Sequence, residues 1–179
     1  MLSMFGFERI GVVLGDLYFV NPEPIPGQES PERGVRLEVR LLEHGHVDGS
    51  VYASQPITIG RPVWRADLLE SADGPPGSFD RTHHHPKVRQ WEPGRRVFDE
   101  ALSADPVSWV GDALRDLNGL LDSAEISPSE AGPNDGAQLA AAVPEILETL
   151  TRLLARVHSG ELAIAPEDGS GDAVRVGWL

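Results

Sequence analysis

The apolar residues of this chain change period halfway along it, and that change constrains the fold more than any other feature. Val35, Leu37, Val39 and Leu41 alternate with Arg36, Glu38 and Arg40, and Trp64, Ala66 and Leu68 alternate with Arg65, Asp67 and Leu69. A repeat of two belongs to strands with one buried face. Further on, Val110, Leu114, Leu117 and Leu121, and then Leu139, Val143, Ile146, Leu150, Leu153 and Val157, recur every three or four positions. That is the stripe of an amphipathic helix. Such helices are unstable alone in water, so their stripes need a partner, and the apolar side of the sheet supplies one. Strands first and helices second predict an α+β fold: an antiparallel sheet, made of the N-terminal strands plus a C-terminal hairpin, with two amphipathic helices packed on one face.

A chain of 179 residues fits a single domain, read as a β-rich part over 9–70, a His/Arg/Trp-rich loop segment over 71–104, a helical part over 105–160 and a closing hairpin over 161–179. Within the β-rich part, residues 9–20 read as two short strands around Gly15-Asp16, or as one bent strand. Residues 22–34, with four prolines, form an exposed connection. A strand over Val35–Glu43 then meets one over Ser50–Ile59. A three-residue loop, Val47-Asp48-Gly49, pairs Val39 with Ile57 and Leu37 with Ile59 and keeps the apolar set on one face. Val63–Leu69 forms the next strand, and a turn-rich loop leads from it to the histidines. Asp105-Pro106 starts the first helix. The second helix runs from Ala137 to His158, is kinked or divided at Pro144 and ends before Gly160. The tail forms a hairpin of Leu162–Ala165 with Ala173–Trp178.

Charge and composition narrow the function. With 28 acidic against 15 basic residues the net charge is -13, which repels nucleic acid and anionic membrane surfaces. Cysteine is absent, so any metal must be held by histidines and carboxylates. The N-terminal stretch has Glu8 and Arg9 where a signal peptide must be apolar, and no run is long enough to span a membrane, so the expected location is the cytoplasm.

Two groups of residues have the chemistry to bind something. His44-x-His46 and His83-x-His85 each put two imidazoles on one side of an extended chain, since Pro86 holds His85 extended and turns His84 the other way. His83, His85, His44 and His46, with or without Asp67, Asp80 or Glu92, are candidate ligands for zinc or another divalent ion. The second group is cationic: Arg81, Lys87, Arg89, Arg95 and Arg96 stand against the single acid Glu92, with Trp91 among them. Guanidiniums at that density fork onto carboxylates or phosphates, and the indole offers a stacking surface.

No Walker loop, GxGxxG, GxSxG or HExxH motif is present, so no catalytic residue is assigned. The expected function is a protein-binding or assembly module that uses the segment 81–96, through Arg81, Arg89, Trp91, Arg95 and Arg96, toward a protein partner or a second copy of the chain. The alternatives are a His/carboxylate metalloprotein with a divalent metal as cofactor, and a binder of small anionic ligands.

Overall fold

A computed structural model of the chain describes residues 1–24, 26–45 and 57–165. Five strands form one antiparallel meander in chain order: β1 (Leu2–Gly6), β2 (Ile10–Phe19), β3 (Glu32–His44), β4 (Ile57–Ser71) and β5 (His83–His85). A small hairpin of β6 (Val88–Arg89) and β7 (Glu92–Pro93) follows. The helices come afterwards: α1 (Glu100–Ala104), α2 (Pro106–Arg115), α3 (Leu117–Ser123) and α4 (Asp135–His158). No helix of the described residues is long and apolar enough to cross a membrane.

The helices cover one face of the sheet. Ile10, Val12 and Leu14 of β2, Val35, Leu37 and Val39 of β3, and Trp64, Ala66 and Leu68 of β4 are buried in one cluster with Val110 and Leu114 of α2, Leu117 and Leu121 of α3 and the stripe of α4 from Leu139 to Val157. The register aligns the three strand sets, with Val12 opposite Val39 opposite Trp64 and Leu14 opposite Leu37 opposite Ala66. At Gly34 the two central strands come so close that a Cβ would stand 2.0 Å from the Leu68 carbonyl oxygen, so only glycine fits there.

Several expectations are corrected. Of the two readings for 9–20 the single strand holds, as Ile10–Phe19, and Leu2–Gly6 ahead of it is another that the alternation did not reveal. Val63–Leu69 and Ile57–Ile59 belong to a single strand of 15 residues. In it Val39 pairs with Trp64, not Ile57, while Ile59 meets Leu42 and Ile57 meets His44. The physical reason is that Trp64, Ala66 and Leu68 have a larger apolar surface to place against Val39, Leu37 and Val35 than Ile57 and Ile59 could offer. The slip is absorbed by irregular pairing around Arg40, where Pro62 sits and needs no ladder donor. The proposed Val47-Asp48-Gly49 loop lies outside the described residues.

The first predicted helix is divided into α2 and α3, and α1 lies ahead of it in the segment expected to be loop. Asp99, Asp105 and Asp116 cap α1, α2 and α3 in turn, accepting from the amides of Ala101, Ser108 and Gly119 at 2.8, 3.1 and 3.0 Å. The four residues read as its stripe are nonetheless all buried. α4 starts at Asp135, runs unbroken through Pro144, and ends where Gly160 takes a φ of 74°. Leu162–Ala165 is irregular rather than a strand, and the rest of the expected closing hairpin lies outside the described residues.

Candidate functional site

The second face of the sheet carries the charged residues of the alternating strands, and it is not open to water. Arg36, Glu38 and Arg40 of β3 lie beside Arg65 and Asp67 of β4, and Glu38, Arg40, Arg65 and Asp67 are all buried. The segment after β5 covers them. Trp91 lies over Arg40 with its ring 5.6 Å from the guanidinium carbon, Phe98 packs on the His83 ring at 5.4 Å, and Val97 bridges to His84. The residues 83–85, expected in a loop, form an edge strand that pairs Asp67 with His83 and Arg65 with His85.

Alternation along β5 then sorts the three histidines. His84 turns to the helix side, where its ring lies 6.2 Å from Trp64 and 4.9 Å from Trp109 and burial lowers its pKa. His83 and His85 turn to the charged side and are 1% and 2% exposed. Their Nδ1 atoms each lie 2.8 Å from a backbone carbonyl, of Arg81 and of Gly94. A carbonyl only accepts, so Nδ1 of each ring carries a proton, and in the neutral imidazole the lone pair is then on Nε2. Both Nε2 atoms face the same carboxylate oxygen, Asp67 Oδ2, at 3.4 and 3.5 Å. His83 Nε2 has no hydrogen-bond partner.

Three possible ligand atoms therefore converge, Nε2 of each histidine and Oδ2 of Asp67. An ion about 2.1 Å from two ligands in tetrahedral geometry holds them about 3.4 Å apart, which matches both Asp67-to-histidine spacings. Nδ1–H bonds to backbone carbonyls are also the usual outer support of a metal-bound histidine. Among the described residues, Asp67, His83 and His85 are the group whose donor atoms all lie within 4.8 Å of one another.

Asp67 also binds two arginines. Arg36 Nε donates to Oδ1 at 2.7 Å, while Arg65 Nε stands 3.2 Å from Oδ2 and its Nη2 3.2 Å from His85 Nε2. Burial, the largest single influence, would raise the Asp67 carboxyl, but the Arg36 guanidinium, the contacts of His83 and His85, and the Arg65 charge together outweigh it and hold the pKa well below the usual carboxylate range. Burial also lowers the pKa of Arg65. Next along the layer, Arg40 Nε donates to Glu38 at 2.7 Å, and Arg65 Nη1 lies 3.8 Å from the other Glu38 oxygen.

The other predicted ligands are not brought to this centre. His44 pairs with Ile57, roughly 25 Å along β4 from Arg65, and its Nε2 meets the Glu8 carbonyl instead. His46 lies outside the described residues. Asp80 is occupied by the Ser71 amide, the Ser78 hydroxyl and Arg81, and Glu92 is exposed on the hairpin. Asp67 was one of three optional carboxylates in the sequence reading, and only the pairing of β5 singles it out. Arg36 and Arg65 were missed as site residues because charged alternating positions read as a wet face.

The cationic group is split. Arg81 is held by the Gly27 carbonyl and Asp80, Arg96 lies 3.8 Å from Glu32, and Lys87 is paired with Glu125. Arg89 and Arg95 remain exposed, the Arg89 side chain at 77%, with Trp91 between them at 52%. Compared with family models, with curated proteins and with solved structures, the chain matches none.

Proposed function

We propose that the protein binds a divalent transition-metal ion through Asp67, His83 and His85, with zinc as the best-fitting member of that class. The observation that supports this most directly is the pair of inward-facing Nε2 lone pairs, one of them unpartnered in a residue that is 1% exposed. A buried acceptor without a donor is costly unless something electron-poor completes it. Two imidazoles and one carboxylate suit zinc in number and in spacing, and such a set leaves a coordination position beyond the three protein ligands. Zinc titration of untagged, metal-stripped protein is expected to saturate at one ion per chain. His83→Ala and His85→Ala are each expected to abolish saturation while far-ultraviolet circular dichroism stays unchanged. Uptake by wild type below about a tenth of an equivalent rejects the reading.

A second reading is favoured by a different feature, the half-exposed Trp91 between two exposed arginines in a chain of net charge -13. Among the described residues the Arg89 side chain reaches only Glu125, at 3.9 Å, and tryptophan and arginine are both enriched at the centres of protein interfaces. The reading is a docking surface for an acidic face of another protein. In pull-downs from the native host, the R89E/R95E double variant is expected to lose partners that wild type retains. An identical partner set for both proteins rejects this reading and leaves the metal site unaffected.

A further inference from the structure

We infer that Arg65 and the metal ion compete for one position, so that the ion enters by displacing the Arg65 guanidinium onto Glu38. This rests on the metal reading above and adds how the site is regulated. Arg65 touches two of the three proposed ligands, with Nε 3.2 Å from Asp67 Oδ2 and Nη2 3.2 Å from His85 Nε2. A guanidinium so placed engages the His85 ring nitrogen through Nη2, stands against Asp67 Oδ2 with an Nε that makes no hydrogen bond, and supplies the positive charge a metal would bring. It acts as an internal substitute for the cation.

Charge supports the same exchange. On this face Arg36, Arg40 and Arg65, with Arg96 beside Glu32, face three buried carboxylates, Glu32, Glu38 and Asp67. A divalent ion added with Arg65 in place would stand beside a cation in a layer whose acids are already matched, where screening is weak. Departure of Arg65 removes the closest like charge and frees the two donors together. The destination is at hand, because Arg65 Nη1 already stands 3.8 Å from Glu38 Oε1. His83, which Arg65 does not touch, keeps its lone pair available throughout and is the first contact for an incoming ion.

The test is a zinc titration by calorimetry of the full chain in five forms: wild type, Arg65→Gln, Arg40→Gln, Glu38→Gln and the R65Q/E38Q double variant. R65Q is expected to bind zinc at least tenfold more tightly than wild type. R40Q removes a cation from the same layer without touching a ligand, and is expected to change affinity less than threefold. E38Q removes the place to which Arg65 moves and is expected to weaken binding, whereas in the R65Q background the same change has no effect. Because a variant of a buried layer can fail to fold, wild type is also followed by NMR of its arginine Nε–H groups. Zinc is expected to shift the Arg65 signal in step with occupancy. Equal gains from R65Q and R40Q, or an Arg65 signal unmoved by bound zinc, overturn the exchange while the metal site stands. Failure of both wild type and R65Q to take up zinc overturns the metal reading and the exchange with it.

Discussion

Asp67→Ala is expected to destabilise the fold by about 4 kcal/mol, enough to lower the melting midpoint of a chain of this size by roughly 12 °C. The reason lies in what the carboxylate leaves behind. Asp67 is 2% exposed and is the acceptor for Arg36 at 2.7 Å and the neighbour of Arg65 at 3.2 Å. Alanine removes the shared anion and strands both guanidiniums inside the sheet layer. A buried charge with its partner deleted is far more damaging than the intact pair is helpful. Glu38 limits the loss only in part, since it already serves Arg40 at 2.7 Å. Asp67→Asn keeps an acceptor for Arg36 and is expected to cost about half as much. Urea denaturation of the metal-free protein measures both. A loss below about 1 kcal/mol for the alanine variant would mean that the two arginines reach solvent or other anions without it. The measurement also separates the structural role of Asp67 from its proposed metal role, because it needs no ion.

The same residue shows what was legible from sequence and what was not. The alternation around Asp67 placed it on the face opposite Trp64, Ala66 and Leu68, and the structure has it there. The extended reading of residues 83–85 likewise sent His83 and His85 one way and His84 the other. What the sequence does not carry is which strands lie side by side and in what register. A short connection between β3 and β4 was assumed, and it set Leu37 opposite Ile59 when its neighbour is Ala66. With the observed register, Arg36 falls opposite Asp67 and Glu38 opposite Arg65, and a run of cross-strand pairs of opposite charge becomes visible. Such pairing is the signal that a charged face is shared rather than wet. The cover was hidden for a related reason. Residues 91–98 have no apolar period, because they lay single, partly exposed side chains over Arg40 and His83 instead of a stripe over a core. Helix boundaries were lost to local chemistry: Asp116 caps α3 through the Gly119 amide inside what reads as one continuous stripe.

Asp135→Ala is expected to cost about 3 kcal/mol, and to act at the junction between sheet and helices rather than in either layer. Asp135 opens α4 yet is 0% exposed, and its carboxylate accepts from the amides of Glu8 at 2.7 Å, Arg9 at 3.1 Å and Gly132 at 2.6 Å. Those donors belong to the β1–β2 turn and to the loop before the helix, so one side chain joins three segments. Glu8 returns the contact by accepting from the Asn134 amide at 3.0 Å and its side-chain amide at 2.7 Å, and those bonds lower the Glu8 pKa. Asn134 makes no cap with its own side chain, so Asp135 also supplies the negative charge that the helix start favours. Alanine orphans all three amides. Asparagine recovers one or two acceptor bonds but turns an NH2 toward the remaining donor, so it is expected to lose about half as much. Amide hydrogen exchange locates the effect: Glu8, Arg9 and Gly132 should exchange faster in the alanine variant by a larger factor than the amides of Leu37 and Val39. Equal acceleration at all five positions would show that only global stability had changed, and that the turn and the helix start are held together by apolar packing alone.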